Sequence, residues 1–382
     1  MRKTQTALPE PTEPMFDPVA FVKQIEGTPS FFFEWGYPKE TKGKVLPEKL
    51  RGKRRLIGHP NKAMRQLHHV FGRYLCDRVE AMGYDGKMLR KLPSATGCIP
   101  FSNPTANAGV HAQGRYSYVT DLAHAYPSVD LGRLTLLLLY ILRHEKYGTD
   151  YSIEMFSRNE LAHLALRTDP LYEKLLAFVS FAFGGLYGRG LVVGGNLSPL
   201  LLNLYCEVFI DSRLRAYFAK AEDKRFPERT ITYTRFVDDL VFSRGISIPY
   251  WVRREIRRFL TEAGFGVNDR KSLVRDRTMG TVFVTKVGMR VERDADTDAK
   301  AILVFPQKKR RRLHGIIGSY LATPFQRDDP EVIRGLVAEF IYYLRNVEEP
   351  TESDKKTLAK CKEFQRVSDR HRKRYQGKRP RP

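Results

Sequence analysis

The segment Tyr233-Thr-Arg-Phe-Val-Asp-Asp-Leu-Val-Phe-Ser243 sets two adjacent carboxylates, Asp238 and Asp239, between two short runs of aromatic and β-branched residues. Such runs around a two-residue break predict a β-hairpin with the acids at its turn. Side by side between buried strands, the acids repel each other and lose hydration, so folding alone gains little from them. A divalent cation relieves both penalties, and hard oxygen ligands suit Mg²⁺. A second acidic pair, Asp328-Asp329 before Pro330-Glu331, reads instead as an ordinary helix N-terminus.

A third carboxylate is available. Residues 116–121, Tyr-Ser-Tyr-Val-Thr-Asp, read as a strand that ends on Asp121. If Asp121 faces Asp238 and Asp239 from a neighbouring strand, the three can hold two Mg²⁺ ions roughly 3.5–4 Å apart. That arrangement suits in-line phosphoryl transfer, where positioning and charge do most of the catalysis.

Charge points to a polyanionic partner. The 382-residue chain has a formal net charge of +23 and is 12% aromatic. Nucleic acid is the first candidate. From Arg366 to Pro382 there are eight Lys/Arg and one Asp, a net +7, which leaves +16 for the rest. The tail is expected to be disordered. Cys76, Cys98, Cys206 and Cys361 form no CxxC pair, so neither a zinc site nor a disulfide framework is expected, and a reducing cytoplasm fits. The longest apolar run, Leu134–Leu142, is too short to span a bilayer, and no membrane association is expected.

Helices are expected over Asn61–Met82, through much of residues 131–185, and over Leu200–Phe218, Tyr250–Ala263 and Glu331–Leu344. Residues 1–30 read as an N-terminal extension, with one helix near Pro18–Ile25. Short strands are expected around Ser272 and over Thr281–Val291.

The acidic hairpin, Phe236-Val-Asp-Asp239, resembles the Tyr-x-Asp-Asp motif of reverse transcriptases. Tyr118-Val-Thr-Asp-Leu-Ala-His-Ala-Tyr-Pro-Ser-Val129 is similar to the first palm motif of the bacterial members. Gly194-Gly-Asn-Leu-Ser-Pro-Leu-Leu-Leu-Asn-Leu204 resembles the Gly turn and Ser-Pro that precede a palm helix, and Gly266-Val-Asn-Asp-Arg-Lys-Ser272 resembles the following Asn-x-x-Lys-Thr element. The order and spacing match from about Arg51 to Val347. Asn107-Ala-Gly-Val-His111 matches the Asn-Ala-x-x-His signature of retron reverse transcriptases. The chain departs from the family at Phe236-Val237, at Val192-Val193 where Pro-Gln is usual, and at residues 284–289.

The resemblance implies an α+β fold in a right-hand arrangement, with fingers and an antiparallel palm sheet over residues 31–305 and a helical thumb over 306–365. It implies RNA-directed DNA synthesis with two Mg²⁺ ions and dNTPs. Asp121, Asp238 and Asp239 would bind metal. Arg55 would grip the triphosphate, with Lys49, Arg51 and Lys53 nearby. Tyr126 would exclude a ribose 2′-OH, and Lys271 would orient or protonate pyrophosphate. Asn107 and His111 would contact a structured non-coding RNA, the template and primer of a branched RNA–DNA product. Lys308-Lys309-Arg310-Arg311-Arg312 would track a duplex backbone. Such systems usually serve phage defence with a separate effector protein. The competing expectations are another bacterial reverse transcriptase group, or a non-catalytic RNA-binding protein on a polymerase scaffold.

Overall fold

The computed structural model describes residues 16–36, 54–81, 94–98, 104–143, 156, 160–221, 230–285, 287–292, 300–322, 330–347 and 350–376. Helices and antiparallel sheets alternate along the chain, an α+β arrangement.

The first elements are helix α1 (Pro18–Lys23), strands β1 (Phe31–Gly36) and β2 (Arg55–Pro60), and helix α2 (Lys62–Ala81). Met64, Leu67, Phe71, Leu75 and Val79 follow a helical period in α2, and all five are buried. Each such side chain contributes about 1.5–3 kcal/mol relative to exposure. The Asn61 side chain accepts the Met64 N–H at 2.7 Å and caps the helix. Phe16 stacks on Tyr74 and meets Phe178 edge-on, while Ile25 is buried. From residue 16 the expected extension is therefore part of the main core.

Helix α3 (Pro104–Val110), strand β3 (Tyr116–Ala123) and helices α4 (Leu131–Leu142), α5 (Glu160–Arg167) and α6 (Leu171–Phe183) follow. The helix expected over Leu200–Phe218 is longer and interrupted. It runs as α7 (Ser198–Cys206), widens to a π turn at Glu207–Asp211, and continues as α8 (Ser212–Ala221). Next come β4 (Thr232–Phe236), β5 (Asp239–Arg244) and α9 (Tyr250–Glu262), then β6 (Gly266–Val267) and β7 (Leu273–Asp276). Gly264, at φ 91°, turns the chain out of α9.

The central sheet has the order β4-β5-β3, with β6 and β7 both on the far edge of β3. β7 pairs with Tyr116–Val119 and β6 with Leu122–Ala123. Between them the chain leaves the ladder in a short helical turn, Asp269–Lys271, opposite Asp121. Helices pack on this sheet through one continuous core that includes Tyr118, Leu122, Leu202, Leu240 and Phe242.

Strands β8 (Val282–Val284), β9 (Val287–Glu292) and β10 (Lys300–Val304) form a separate three-stranded sheet. Helices α10 (Gln307–Ala322), α11 (Pro330–Arg345) and α12 (Glu352–Gln376) complete the described chain. They enclose a second core of Phe305, Leu313, Ile317, Tyr320, Ile333, Val337, Phe340, Tyr343, Cys361 and Phe364. The tail expected to be disordered from Arg366 is helical to Gln376. Val367 packs on the second core, and the Ser368 hydroxyl accepts from Arg334 at 2.7 Å. Among the described residues, no helix is long and apolar enough to cross a membrane.

Candidate metal centre and the groove beside it

The hairpin forms as its sequence predicts. Phe236 and Asp239 are the last paired residues of β4 and β5, so Val237 and Asp238 make a two-residue turn. Val237 has a φ of 61°, a left-handed conformation unusual for a β-branched residue. On the other side of β5, Asp121 pairs directly with Asp239. The Leu122 N–H donates to the Asp238 carbonyl at 2.9 Å and ties the turn to β3.

Three carboxylates from two distant segments therefore converge. Among the described residues, Asp121, Asp238 and Asp239 make the one group of three or more potential metal ligands whose ligand atoms lie within 4.8 Å of one another. Like charges opposite each other across a ladder are destabilising. Burial, Asp238 and Asp121 together push the Asp239 carboxyl up to about 7. Asp238 is raised by burial and by Asp121, against the opposing pull of Lys271 and Arg55.

The donor set fits a divalent cation. Oδ1 of Asp121 is buried without a hydrogen-bond partner, an orphaned acceptor that a cation would satisfy. Oxygen ligands around a small divalent ion stand about 2–2.5 Å from it. Ligand atoms within 4.8 Å of one another are close enough to share such an ion. The triad can hold a metal ion.

Lys271 reaches this centre because of the break between β6 and β7. Its Nζ donates to Oδ2 of Asp121 at 2.7 Å, and the Asn268 side-chain amide donates to the same oxygen at 3.3 Å. The Asn268 N–H also donates to the Asp121 carbonyl at 3.0 Å. Burial works against the Lys271 charge, but Asp121 outweighs it and holds the ammonium's pKa above its usual value.

Tyr126 is half-buried beside the triad. Burial, Cys98 and Asp238 push its hydroxyl well above the usual phenol range. Arg55 begins β2, is exposed, and acts electrostatically on Asp238. Lys49, Arg51 and Lys53 lie outside the described residues. A cavity of about 260 Å³ opens from Asp239 and Phe236 towards α10, where Lys309 and Arg312 line it.

Two sequence expectations are corrected. Asn107 and His111 are fully buried and cannot reach RNA. His111 shares hydrogen bonds with Ser243 at 2.8 Å and Thr234 at 2.7 Å. Burial, followed by the Arg277 charge, brings its pKa down to about 3, so the ring is neutral. Asn107 accepts from Thr96 and Thr234 at 2.8 and 2.6 Å. This pair clips α3 to β4 and β5.

The basic run of α10 is also divided. Lys309 pairs with Glu339, and Arg310 pairs with the buried Asp354. These two cations join α10 to α11 and α12. Lys308, Arg311 and Arg312 are exposed.

Sequence reasoning missed the role of Asn268, and it missed the fully buried ion pair of Arg235 with Asp211. A signal existed for the second. A cation among the core residues of a buried hairpin requires a buried anion. No protein-family model matches the chain, and no curated protein is significantly similar to it.

Proposed function

We propose that this protein is an RNA-directed DNA polymerase with a right-hand architecture. In this reading the five-stranded sheet is the palm, β1, β2 and the helices around them form the fingers, and α10–α12 form the thumb. The observation that carries the proposal is the meeting of Asp121 with Asp238 and Asp239 on adjacent antiparallel strands. The Gly-Asn-Leu-Ser-Pro and Asn-x-x-Lys elements also lie in structural contexts that fit the reading, at the start of α7 and beside Asp121.

Magnesium ions, two in this chemistry, would lower the pKa of the primer hydroxyl and neutralise the triphosphate. The three carboxylates would hold them. Arg55, exposed at the start of β2, would take the triphosphate. Lys271 would move from Asp121 to the leaving pyrophosphate and orient or protonate it. Tyr126, beside Asp238, would exclude a ribose 2′-OH by occupying its space. Lys308, Arg311 and Arg312 would follow the template–primer backbone, giving salt-dependent and sequence-independent binding.

The motif resemblance favours the retron type. The template and primer would be a structured non-coding RNA, the product a branched RNA–DNA joined through a guanosine 2′-OH, and the role antiphage defence with a separate effector. With Asn107 and His111 inside the core, recognition of that RNA falls to exposed residues.

The deciding experiment is primer extension on an RNA template with dNTPs and Mg²⁺. Extension by the wild type and none by Asp238→Asn, with RNA still bound, is expected. Intact RNA binding without extension on generic or co-purified RNA would sink the enzyme reading. A 2′–5′ linkage in nucleic acid extracted from the native complex would support the retron type, and long unbranched DNA would count against it.

A further inference from the structure

We infer that Arg235 is a positioning residue. With Asp211 behind it, its guanidinium grips the carbonyl of Val237 and fixes the turn that presents Asp238. The inference rests on reading the carboxylate triad as a metal centre.

Arg235 and Asp211 are both fully buried. Nε of Arg235 donates to both carboxylate oxygens of Asp211 at 3.1 Å, and Nη2 donates to Oδ2 at 2.7 Å. Nη1 donates to the Asn203 side-chain oxygen at 2.9 Å and to the Val237 carbonyl at 3.0 Å. The guanidinium thus bridges the π turn, α7 and the acidic turn. The Tyr233 hydroxyl completes Asp211 at 2.7 Å.

The same network closes on Val237 from a second side. The Asn203 amide donates to the Gly97 carbonyl at 2.9 Å. Arg235 N–H donates to the Ser94 carbonyl at 2.7 Å, and Arg215, paired with Glu207, donates to the Ser94 hydroxyl at 2.9 Å. Residues 94–98 are thereby held along β4. Gly97 presses on the turn so closely that a Cβ there would stand 2.6 Å from the Val237 nitrogen.

This much buried charge is poorly explained by stability alone. A well-packed apolar pair can replace a buried ion pair at little or no cost. An apolar pair cannot donate to Val237. Left-handed backbone is disfavoured for a β-branched residue and persists only where its surroundings over-determine it. Release of the Val237 carbonyl would let that residue relax, and Asp238, the next residue, would swing away from Asp121.

The test is the double variant Arg235→Met/Asp211→Leu, which removes both charges together. Folding is followed by thermal melting, and Mn²⁺ binding by the paramagnetic resonance signal of the free ion. A cooperative melt of the central-sheet core is expected, with Mn²⁺ affinity at least tenfold below wild type. Adding Val237→Gly should recover at least threefold of that loss, because glycine takes the left-handed conformation without strain. A residue that merely stabilised the fold would change the melt and leave Mn²⁺ affinity alone.

Wild-type Mn²⁺ affinity in the folded double variant would overturn the inference. If that variant fails to fold, Arg235→Lys keeps the charge but cannot hold all these acceptors at once. The same loss is expected there, and unchanged affinity would again refute the role. Wild-type Mn²⁺ binding that is insensitive to Asp238→Asn would sink the metal centre and the clamp's purpose together. Binding that Asp238→Asn abolishes but the double variant retains would sink the clamp alone.

Discussion

The ammonium of Lys271 lies 2.7 Å from Oδ2 of Asp121, so a cationic side chain already stands on one oxygen of the triad. A metal at that oxygen must share or displace it. Lys271→Met should therefore tighten Mn²⁺ binding about two- to fivefold, a modest gain because the lysine is largely solvated. Under the proposed function, polymerisation should fall, since the leaving pyrophosphate would lose its cation. Calorimetric Mn²⁺ titration checks the first outcome, and single-turnover extension the second. Weaker Mn²⁺ binding in the variant would mean that Lys271 helps to assemble the site.

Asp239, held near 7 in the fold, titrates near 3.9 in an unfolded chain. Between those values the folded state binds more protons, so this group's contribution to stability falls as pH rises through that window. A divalent cation should offset the repulsion once the carboxyl ionises. The stabilisation by Mg²⁺, read as a rise in Tm, should be large at about pH 8 and small at about pH 5. Asp239→Asn should flatten this dependence. A Mg²⁺ effect equal at both pH values would contradict the assignment.

His111 and the exposed cations of α10 should behave oppositely. His111→Ala leaves the Thr234 and Ser243 hydroxyls short of a partner and opens a cavity, a cost of about 2–3 kcal/mol. It should lower Tm while leaving the salt dependence of RNA binding unchanged. Neutralising Lys308, Arg311 or Arg312 should leave Tm nearly unchanged and reduce the salt slope by about 0.9 for each phosphate that is no longer neutralised. Filter binding across a salt series, paired with melts, separates the two classes. A reduced slope in folded His111→Ala would restore its role in RNA binding.

The end of α12 should be structural. Deleting residues 366–382 removes the packed Val367 and the buried Ser368, which bonds Arg334. The expected cost is about 2–4 kcal/mol. Lys355→Ala breaks an exposed pair with Glu352 on the same helix and should leave stability nearly unchanged. Urea denaturation compares them. Equal stability of the truncated and full chains would mean that the last turns contribute nothing to the fold.

The hairpin and the large helices were legible because their signals are local. Alternation around Val237-Asp238 and helical spacing from Met64 to Val79 each report burial within a few residues. The meeting of Asp121 with the hairpin acids could be anticipated because three carboxylates at strand ends share one chemical need. Asn107 and His111 gave no such signal. Their partners Thr234 and Ser243, on strands, and Thr285, in the turn after β8, lie far along the chain, and polar side chains carry no hydrophobic period. Charge density hid the end of α12, where Cys361, Phe364, Val367 and Ser368 keep a helical stripe beneath the basic residues. Arg310 read as a free cation because its anion, Asp354, lies 44 residues away.

The core beneath α10–α12 is distinct from the one beneath the central sheet. Cooperativity follows shared packing, and what links these two bodies is a small cluster of Val119, Val241, Val284, Met289 and Leu303. Heating should therefore melt them in separate steps, with the amide protons of each exchanging on their own schedule. Under the function proposed above, the grip on a duplex would then be lost while the sheet that carries the three carboxylates stayed folded.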